Sequence, residues 1–179
     1  REYSVENKVV LGITELIIFS ISKLNSKFPF FFGKILENDK IKINENTNIG
    51  ITIDIGKGLY IPVISNSNKL SLKEVNLELA SLKIKAMRNS FNNKDFENAN
   101  LTISLNLDKD TVFVRPIIFP GQTCMISLNA IFNELVMKDG KVVENKFLNL
   151  GLAYDHRIIN GYEANMFLTQ IKNFIEEDL

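Results

Sequence analysis

The side chain best suited to chemistry in this sequence is His156, the only histidine among 179 residues. It follows an alternating apolar run at 148–154, which is typical of a buried strand, and precedes residues 161–174, which have the apolar spacing of a helix. Charged residues, Asp155 and Arg157, flank it. An imidazole accepts and returns a proton near neutral pH, so His156 is a candidate general base. Because a lone histidine is more often an ordinary surface residue, its flanking residues decide how much weight it receives.

Those flanking residues form a motif. The stretch Asp155-His156-Arg157-Ile158-Ile159-Asn160-Gly161 resembles Asp-His-Arg-x-x-Asp-Gly, a C-terminal pattern of the dihydrolipoamide acyltransferases. These proteins are the core subunits of the 2-oxo acid dehydrogenase complexes. One position departs from the pattern, because Asn160 stands where the family usually has a second aspartate, although some related enzymes carry asparagine there. In the family that aspartate commonly pairs with an arginine, whereas an asparagine forms hydrogen bonds but no ion pair.

A second segment is similar to the same family. Its members carry a hydroxyl residue on a strand reading Phe-Thr-Ile-(Ser or Thr), 52 residues before the histidine, and Leu101-Thr102-Ile103-Ser104 places Ser104 at that interval from His156. Three weaker similarities, at residues 50–53, 58–64 and 116–120, occur in the same order along the chain as in the family. The resemblance begins at about Val9, a point inside the family's domain. We therefore expect a single acyltransferase catalytic-type domain over 1–179, without lipoyl or subunit-binding domains and without the family's N-terminal helix and first strand.

The resemblance implies acyl transfer, with acetyl as the expected group, between a dihydrolipoyl thiol and coenzyme A. A thiol is mostly protonated at neutral pH, so a base such as His156 assists its attack on a thioester. The oxyanion formed by that attack needs a hydrogen-bond donor, the role implied for Ser104. In the family these two residues come from different subunits, which implies a homotrimer. The implied partners are lipoyl domains and other subunits of a dehydrogenase complex.

The remaining motif residues are candidates for supporting roles. Asn160 is grouped with the catalytic residues because it occupies the family's aspartate position. Arg157 is expected to brace the turn. For Asp155 we consider two roles, orienting His156 or satisfying backbone donors at the helix entry, and favour the second. Gly161 is expected to be required by the backbone of the turn.

Departures from the family leave a rival hypothesis open, which the missing N-terminal element and the altered stretch after Ser104 favour. The glycine-rich stretch that follows the family's serine strand is replaced by Asn106-Leu107-Asp108-Lys109-Asp110, and Phe119 replaces an asparagine. The rival is a catalytically weak or inactive core that serves as a scaffold. A chloramphenicol-type acetyltransferase is disfavoured, because its motif begins with two histidines and ends in Asp-Gly. A serine hydrolase is disfavoured by the absence of a Gly-x-Ser-x-Gly elbow.

The helices and strands predicted to position these residues indicate an α+β domain. Helical spacing covers residues 13–28 and the segment after the capping box Ser71-Leu72-Lys73-Glu74. Strand-like patterns occupy residues 40–43, 48–55, 101–107, 111–118, 123–132 and 148–154, and a hairpin is expected at 133–143. This order favours a two-layer sandwich of a mixed sheet with helices on one side. The resembling family has that fold, which is similar to chloramphenicol acetyltransferase.

Composition excludes several other functions. Lysine and arginine number 21 and aspartate and glutamate 21, so no field for nucleic acid or anionic membranes is implied. A single cysteine, Cys124, lies in a strand-like run, where we expect a buried and inert thiol and no metal cluster. The acidic end at 175–179 would bury carboxylates if it docked in an apolar pocket, so we expect a trimer rather than a larger shell.

Overall fold

A five-stranded mixed sheet forms the centre of the computed structural model, which describes residues 11–37, 40–56 and 58–177. Its strands are β3 (Ile49–Ile51), β6 (Val63–Ile64), β7 (Leu101–Asn106), β8 (Cys124–Asn129) and β11 (Leu150–Tyr154). They lie in the order β11-β8-β7-β3-β6. The three inner strands β8, β7 and β3 are parallel, and both outer strands are antiparallel to their neighbours. The predicted mixed sheet is therefore confirmed.

Among the described residues, three two-stranded sheets lie outside the central one. They pair β1 (Lys34–Ile35) with β2 (Ile41–Lys42), β4 (Ile53–Asp54) with β5 (Leu59–Tyr60), and β9 (Phe132–Lys138) with β10 (Lys141–Phe147). The last pair is a hairpin whose turn contains Asp139 and Gly140, both at positive φ, as a tight turn requires. It is longer than the predicted 133–143.

The helices α1 (Ile13–Ser22), α2 (Leu72–Arg88) and α3 (Gly161–Glu177) supply the second layer. Alternate strand residues, including Ile51, Ile103 and Ile126, join one buried apolar cluster with helix residues such as Leu79 and Phe167. This one-sided burial agrees with the predicted α+β two-layer architecture. None of the helices within the described ranges is both long and apolar enough to cross a membrane.

Local sequence signals explain where α2 begins and ends. The Ser71 hydroxyl accepts a hydrogen bond from the Glu74 amide, and the Glu74 carboxylate accepts one from the Ser71 amide, which is the predicted capping box. Asn89 ends the helix in the left-handed conformation, at φ 49°. The apolar stripe at 72, 75, 79, 82 and 86 is buried, as its spacing predicted.

The first helix is shorter than the predicted 13–28, because it ends at Ser22. The hydroxyls of Ser20 and Ser22 donate to carbonyls three residues earlier, which competes with regular helix bonding. Asn25 then turns its side chain toward the carbonyls of Asn44 and Glu45. The chain continues in turns to Pro29.

The predicted strand at 111–118 is wrong, because the segment pairs with no described strand. Its carbonyls bond side chains instead. Ser127 Oγ donates to the Val114 carbonyl at 2.7 Å, and Asn149 Nδ2 donates to the Val112 carbonyl at 2.9 Å. Pro116 has no amide hydrogen to give to a ladder. The segment therefore lies against the sheet face opposite the helices.

Cys124 is fully buried in β8, as predicted, and burial raises the pKa of its thiol to about 12. Its Sγ donates to the Phe31 carbonyl at 3.3 Å. Such a thiol is inert at neutral pH. Val9, Asp178 and Leu179 lie outside the described residues, so the expectations about the missing N-terminal part and the acidic end remain predictions.

Candidate functional site

His156 lies in the turn between β11 and α3, where its side chain is exposed. Its ring packs against the Tyr154 ring, with centroids 5.6 Å apart and planes at 42°. Within the described chain, no group hydrogen-bonds the imidazole. Neither ring nitrogen is therefore engaged by a described residue, and no described residue fixes the tautomer.

Hydrogen bonds between Asp155 and Arg157 brace this turn. The Asp155 carboxylate accepts hydrogen bonds from the Arg157 backbone amide at 3.0 Å and from its guanidinium, with Nη2 at 2.7 Å. These bonds, first from the side chain and then from the backbone of Arg157, hold the pKa of Asp155 below its usual value. Since the carboxylate contacts Arg157 rather than the imidazole, the structural role favoured for Asp155 agrees with the geometry.

Asn160 is the N-cap of α3. Its Oδ1 accepts from the Glu163 amide at 3.1 Å, and its own amide donates to Glu163 Oε2 at 3.3 Å. This reciprocal pair is a capping box. The preceding Ile159 is fully buried in the core, so the turn is anchored by an apolar side chain on one side and a helix cap on the other.

The expectation that the turn's backbone requires Gly161 is wrong. Gly161 does not lie in the left-handed region, and a Cβ built there would meet only Tyr154 Oη, at 3.7 Å, an ordinary van der Waals contact. A side chain therefore fits at this position. The turn depends on the hydrogen bonds of Asp155 and Asn160 instead.

Ser104 lies near the end of β7, half-buried on the sheet face opposite the helices. Its neighbours Ile103 and Leu105 point toward the core, as strand alternation requires. Its hydroxyl accepts a hydrogen bond from Asn106 Nδ2 at 3.2 Å. The sequence analysis included Asn106 in the predicted strand 101–107 and in the divergent stretch that follows Ser104, but gave it no role. The signal was available, because residues two apart on a strand share a face.

A single chain does not bring Ser104 and His156 together. Ser104 is in register with Ser127, and Ser127 with Gly151, so two strand spacings, about 9.5 Å, separate Ser104 from β11. His156 follows Gly151 by five residues. At about 3.3 Å per residue this adds some 16 Å, which gives a separation of about 15–20 Å. The two side chains can act on one reacting group only if they come from different copies of the chain.

Other features of the described residues do not form a rival centre. No group of three metal-ligating side chains occurs within the described ranges. A surface cavity of about 820 Å³ lies between β10 and α3, lined by residues such as Phe147, Leu148 and Leu168. It includes neither Ser104 nor His156.

Curated relatives cover almost all of this chain. It is 28% identical over 177 residues, 99% of its length, to the dihydrolipoyllysine-residue succinyltransferase component of the 2-oxoglutarate dehydrogenase complex of Buchnera aphidicola subsp. Acyrthosiphon pisum. The corresponding protein of Pseudomonas aeruginosa is 30% identical over 171 residues, 96% of the chain. The chain spans 42% of the length of each of these relatives.

Solved structures share the fold. A probable dihydrolipoamide acetyltransferase from Listeria monocytogenes superposes with a TM-score of 0.87 at 28% identity, covering 98% of this chain and 75% of that one. The Azotobacter vinelandii dihydrolipoamide acetyltransferase matches with a TM-score of 0.88 at 24% identity, over 99% and 73% of the two chains. That structure is described as addressing the catalytic role of a serine, a histidine and an asparagine at its positions 558, 610 and 614. A chloramphenicol acetyltransferase matches with a TM-score of 0.60 at 11% identity, over 97% and 81%, which shows the predicted fold alone.

The family match extends over nearly the whole chain. Residues 2–179 match the 2-oxoacid dehydrogenases acyltransferase catalytic domain, in agreement with the motifs around Ser104 and His156. The chain therefore belongs to the family of catalytic domains of the 2-oxoacid dehydrogenase acyltransferases.

Proposed function

We propose that this chain transfers an acyl group between a dihydrolipoyl thiol and coenzyme A, in a site formed by His156 of one copy and Ser104 of another. One observation carries the proposal. The serine, histidine and asparagine of the Azotobacter protein are separated by 52 and 4 positions, and the same residue types occur at the same intervals here, as Ser104, His156 and Asn160. Coenzyme A and the lipoyl group are substrates in this proposal, and no metal takes part.

The geometry suits each proposed role. His156 is exposed and its ring nitrogens accept no hydrogen bond from the described chain, so an incoming thiol can reach it. Ser104 is half-buried beside the fully buried Ser127, where reduced contact with water strengthens a hydrogen bond to a developing charge. Their separation within one chain supports a site that is shared between two copies.

The reaction proceeds in two proton-balanced steps. His156 removes the proton of the attacking thiol as its sulfur bonds the thioester carbonyl carbon, which forms a tetrahedral oxyanion. The Ser104 hydroxyl donates a hydrogen bond to that oxyanion. When the intermediate collapses, the carbon–sulfur bond of the leaving thiol breaks, and the imidazolium returns the proton to that thiolate.

Asn160, Asp155 and Arg157 act on His156 through the turn. Asn160 caps α3 four residues after the histidine, and the Asp155–Arg157 pair closes the turn on its other side. We assign these three as positioning residues, because none hydrogen-bonds the imidazole. In this role Asn160 orients His156 through the helix cap and does not itself contact the reacting atoms.

The acyl group of the proposal is succinyl. Acetyl was expected from the sequence, but the curated relatives are named as succinyltransferase components. The assay that decides compares succinyl-CoA with acetyl-CoA as donors to free dihydrolipoamide. We expect the larger kcat/KM for succinyl-CoA. A larger value for acetyl-CoA would return the assignment to the acetyl group.

The proposed assembly is a homotrimer that receives lipoyl domains and other subunits of a dehydrogenase complex. In each chain the β9–β10 hairpin exposes the apolar side chains of Leu135, Met137 and Val142, each at least 63% accessible. Apolar surface of this kind is typical of an interface. A closed ring of three copies satisfies a head-to-tail contact in which one copy's His156 meets its neighbour's Ser104. Light scattering should give a mass near three chains.

The test of the function is acyl transfer from succinyl-CoA to dihydrolipoamide by the parent and by His156→Ala. We expect the variant to lose at least about 10²-fold in kcat, because the general base is removed. Met87→Ala, at an exposed position of α2 in the helical layer, is the control and should retain full activity. Equal and negligible rates in parent and variant would favour the scaffold hypothesis.

A further inference from the structure

The end of β7 holds Ser104 in a way that the motif does not predict. Ser104 and Asn106 lie two residues apart and share the sheet face opposite the helices. Asn106 Nδ2 donates to the Ser104 backbone carbonyl at 3.2 Å and to the Ser104 hydroxyl, also at 3.2 Å. The one amide group therefore contacts both oxygen atoms of the serine.

These two contacts fix which way the Asn106 amide points. A backbone carbonyl has no hydrogen to donate, so the atom 3.2 Å from it must be the amide nitrogen rather than the amide oxygen. The same nitrogen then faces Ser104 Oγ as a donor. The hydroxyl oxygen is consequently an acceptor in this contact.

Because the Ser104 hydroxyl oxygen accepts this hydrogen bond, the hydroxyl hydrogen remains available for a different acceptor. Within the described ranges, no acceptor receives the Ser104 hydroxyl hydrogen. The hydroxyls beside it serve the fold: Ser127 Oγ donates to the Val114 carbonyl at 2.7 Å, and Thr52 Oγ1 accepts from the Leu105 amide at 2.7 Å. Of the three, Ser104 combines partial exposure with an uncommitted hydrogen. Donation from Asn106 also polarises that O–H group.

We propose that Asn106 is a positioning residue for Ser104: its amide occupies the acceptor side of the hydroxyl and leaves the hydroxyl hydrogen directed at the oxyanion. This inference rests on the proposed function, since it needs Ser104 as the donor. Asn106 belongs to the stretch where this chain departs from the glycine-rich pattern of the family it resembles.

A kinetic double-mutant cycle between Asn106 and Ser104 tests the proposal. We expect Asn106→Ala to lower kcat about 5-fold, the worth of one neutral hydrogen bond, with KM changed less than about 2-fold. In a Ser104→Ala background, the same substitution should change kcat less than about 1.5-fold, because the group it positions is gone. A purely structural role would give the same loss in both backgrounds.

Asn106→Asp keeps the side-chain shape but offers only acceptors. Its carboxylate should take the Ser104 hydroxyl hydrogen, so we expect a loss of kcat as large as that of Ser104→Ala. Asn165→Ala, an exposed asparagine on α3, is the control and should match the parent. Unchanged mass in light scattering would show that each variant assembles.

The outcomes separate this inference from the proposed function. If Ser104→Ala and His156→Ala lose activity while Asn106→Ala equals the parent, or loses equally with and without Ser104, only the positioning role is overturned. If Ser104→Ala equals the parent, the serine assignment fails and the positioning role fails with it. A parent without acyl transfer would overturn both.

Discussion

The turn that carries His156 and the strand end that carries Ser104 are built in different ways. In the turn, the polar neighbours bond one another: Asp155 binds Arg157, and Asn160 exchanges hydrogen bonds with Glu163. The imidazole itself receives no hydrogen bond from the described chain. At the strand end the order is reversed, since Ser104 is held directly by Asn106. One site component is therefore positioned by its backbone, and the other by a side chain that contacts it.

The largest expected effect comes from removing the apolar side chain that anchors the turn. Ile159 is fully buried, so Ile159→Ala should lower the free energy of unfolding by about 3 kcal/mol through lost burial and a residual cavity. Leu107→Ala, at a half-exposed leucine just past β7, is the matched control and should cost less than about 1 kcal/mol. Urea unfolding measures both. Similar losses in the two variants would contradict the role of Ile159 as the buried anchor of the turn.

A smaller effect removes the helix cap. Asn160→Ala deletes the acceptor for the Glu163 amide and should lower the free energy of unfolding by about 1 kcal/mol. Asn160→Asp keeps a capping oxygen and restores the family's motif, so its stability should lie within about 0.5 kcal/mol of the parent. Thermal unfolding compares the three proteins. If the aspartate variant lost as much as the alanine variant, the capping role would be refuted.

The smallest effect concerns pH. The pKa of Asp155 is lowered in the folded protein by Arg157, so its contribution to stability is present above the unfolded pKa of about 4 and is lost as pH falls through the folded pKa. At pH 6, Asp155→Asn should be less stable than the parent by less than about 1 kcal/mol, since the Arg157 side chain is largely exposed. That difference should shrink toward zero as the pH falls below about 3. A stability difference between the two proteins that grew as the pH fell would contradict a lowered pKa of Asp155 in the folded protein.

Local sequence signals predicted the parts of this site that local chemistry builds. The capping box at Ser71 and the strand-to-helix passage around His156 are spelled out over a few residues, and both are confirmed. The segment 111–118 alternates like a strand, but its carbonyls are satisfied by Ser127 and Asn149, which lie far along the chain. No local pattern encodes such distant partners.

The same reasoning explains one error and one omission at the site itself. Gly161 was expected to be needed for its backbone freedom, yet whether a side chain fits depends on the distance to Tyr154, which spacing does not give. Asn106 lay within the predicted strand 101–107, but a strand pattern gives which residues share a face and not which side chains bond each other. Its contact with Ser104 therefore had to come from the structure.

The claim that one site needs two copies is tested most directly by complementation. Inactive His156→Ala chains and impaired Ser104→Ala chains are unfolded, mixed in equal amounts and refolded together, with each variant refolded alone as the control. If His156 of one copy meets Ser104 of its neighbour in a closed trimer, random assembly gives an intact pair at about a quarter of the sites. We therefore predict activity of about a quarter of the parent's, above the mean of the two variants refolded separately. Activity no greater than that mean, in particles of trimer mass, would contradict a site shared between copies.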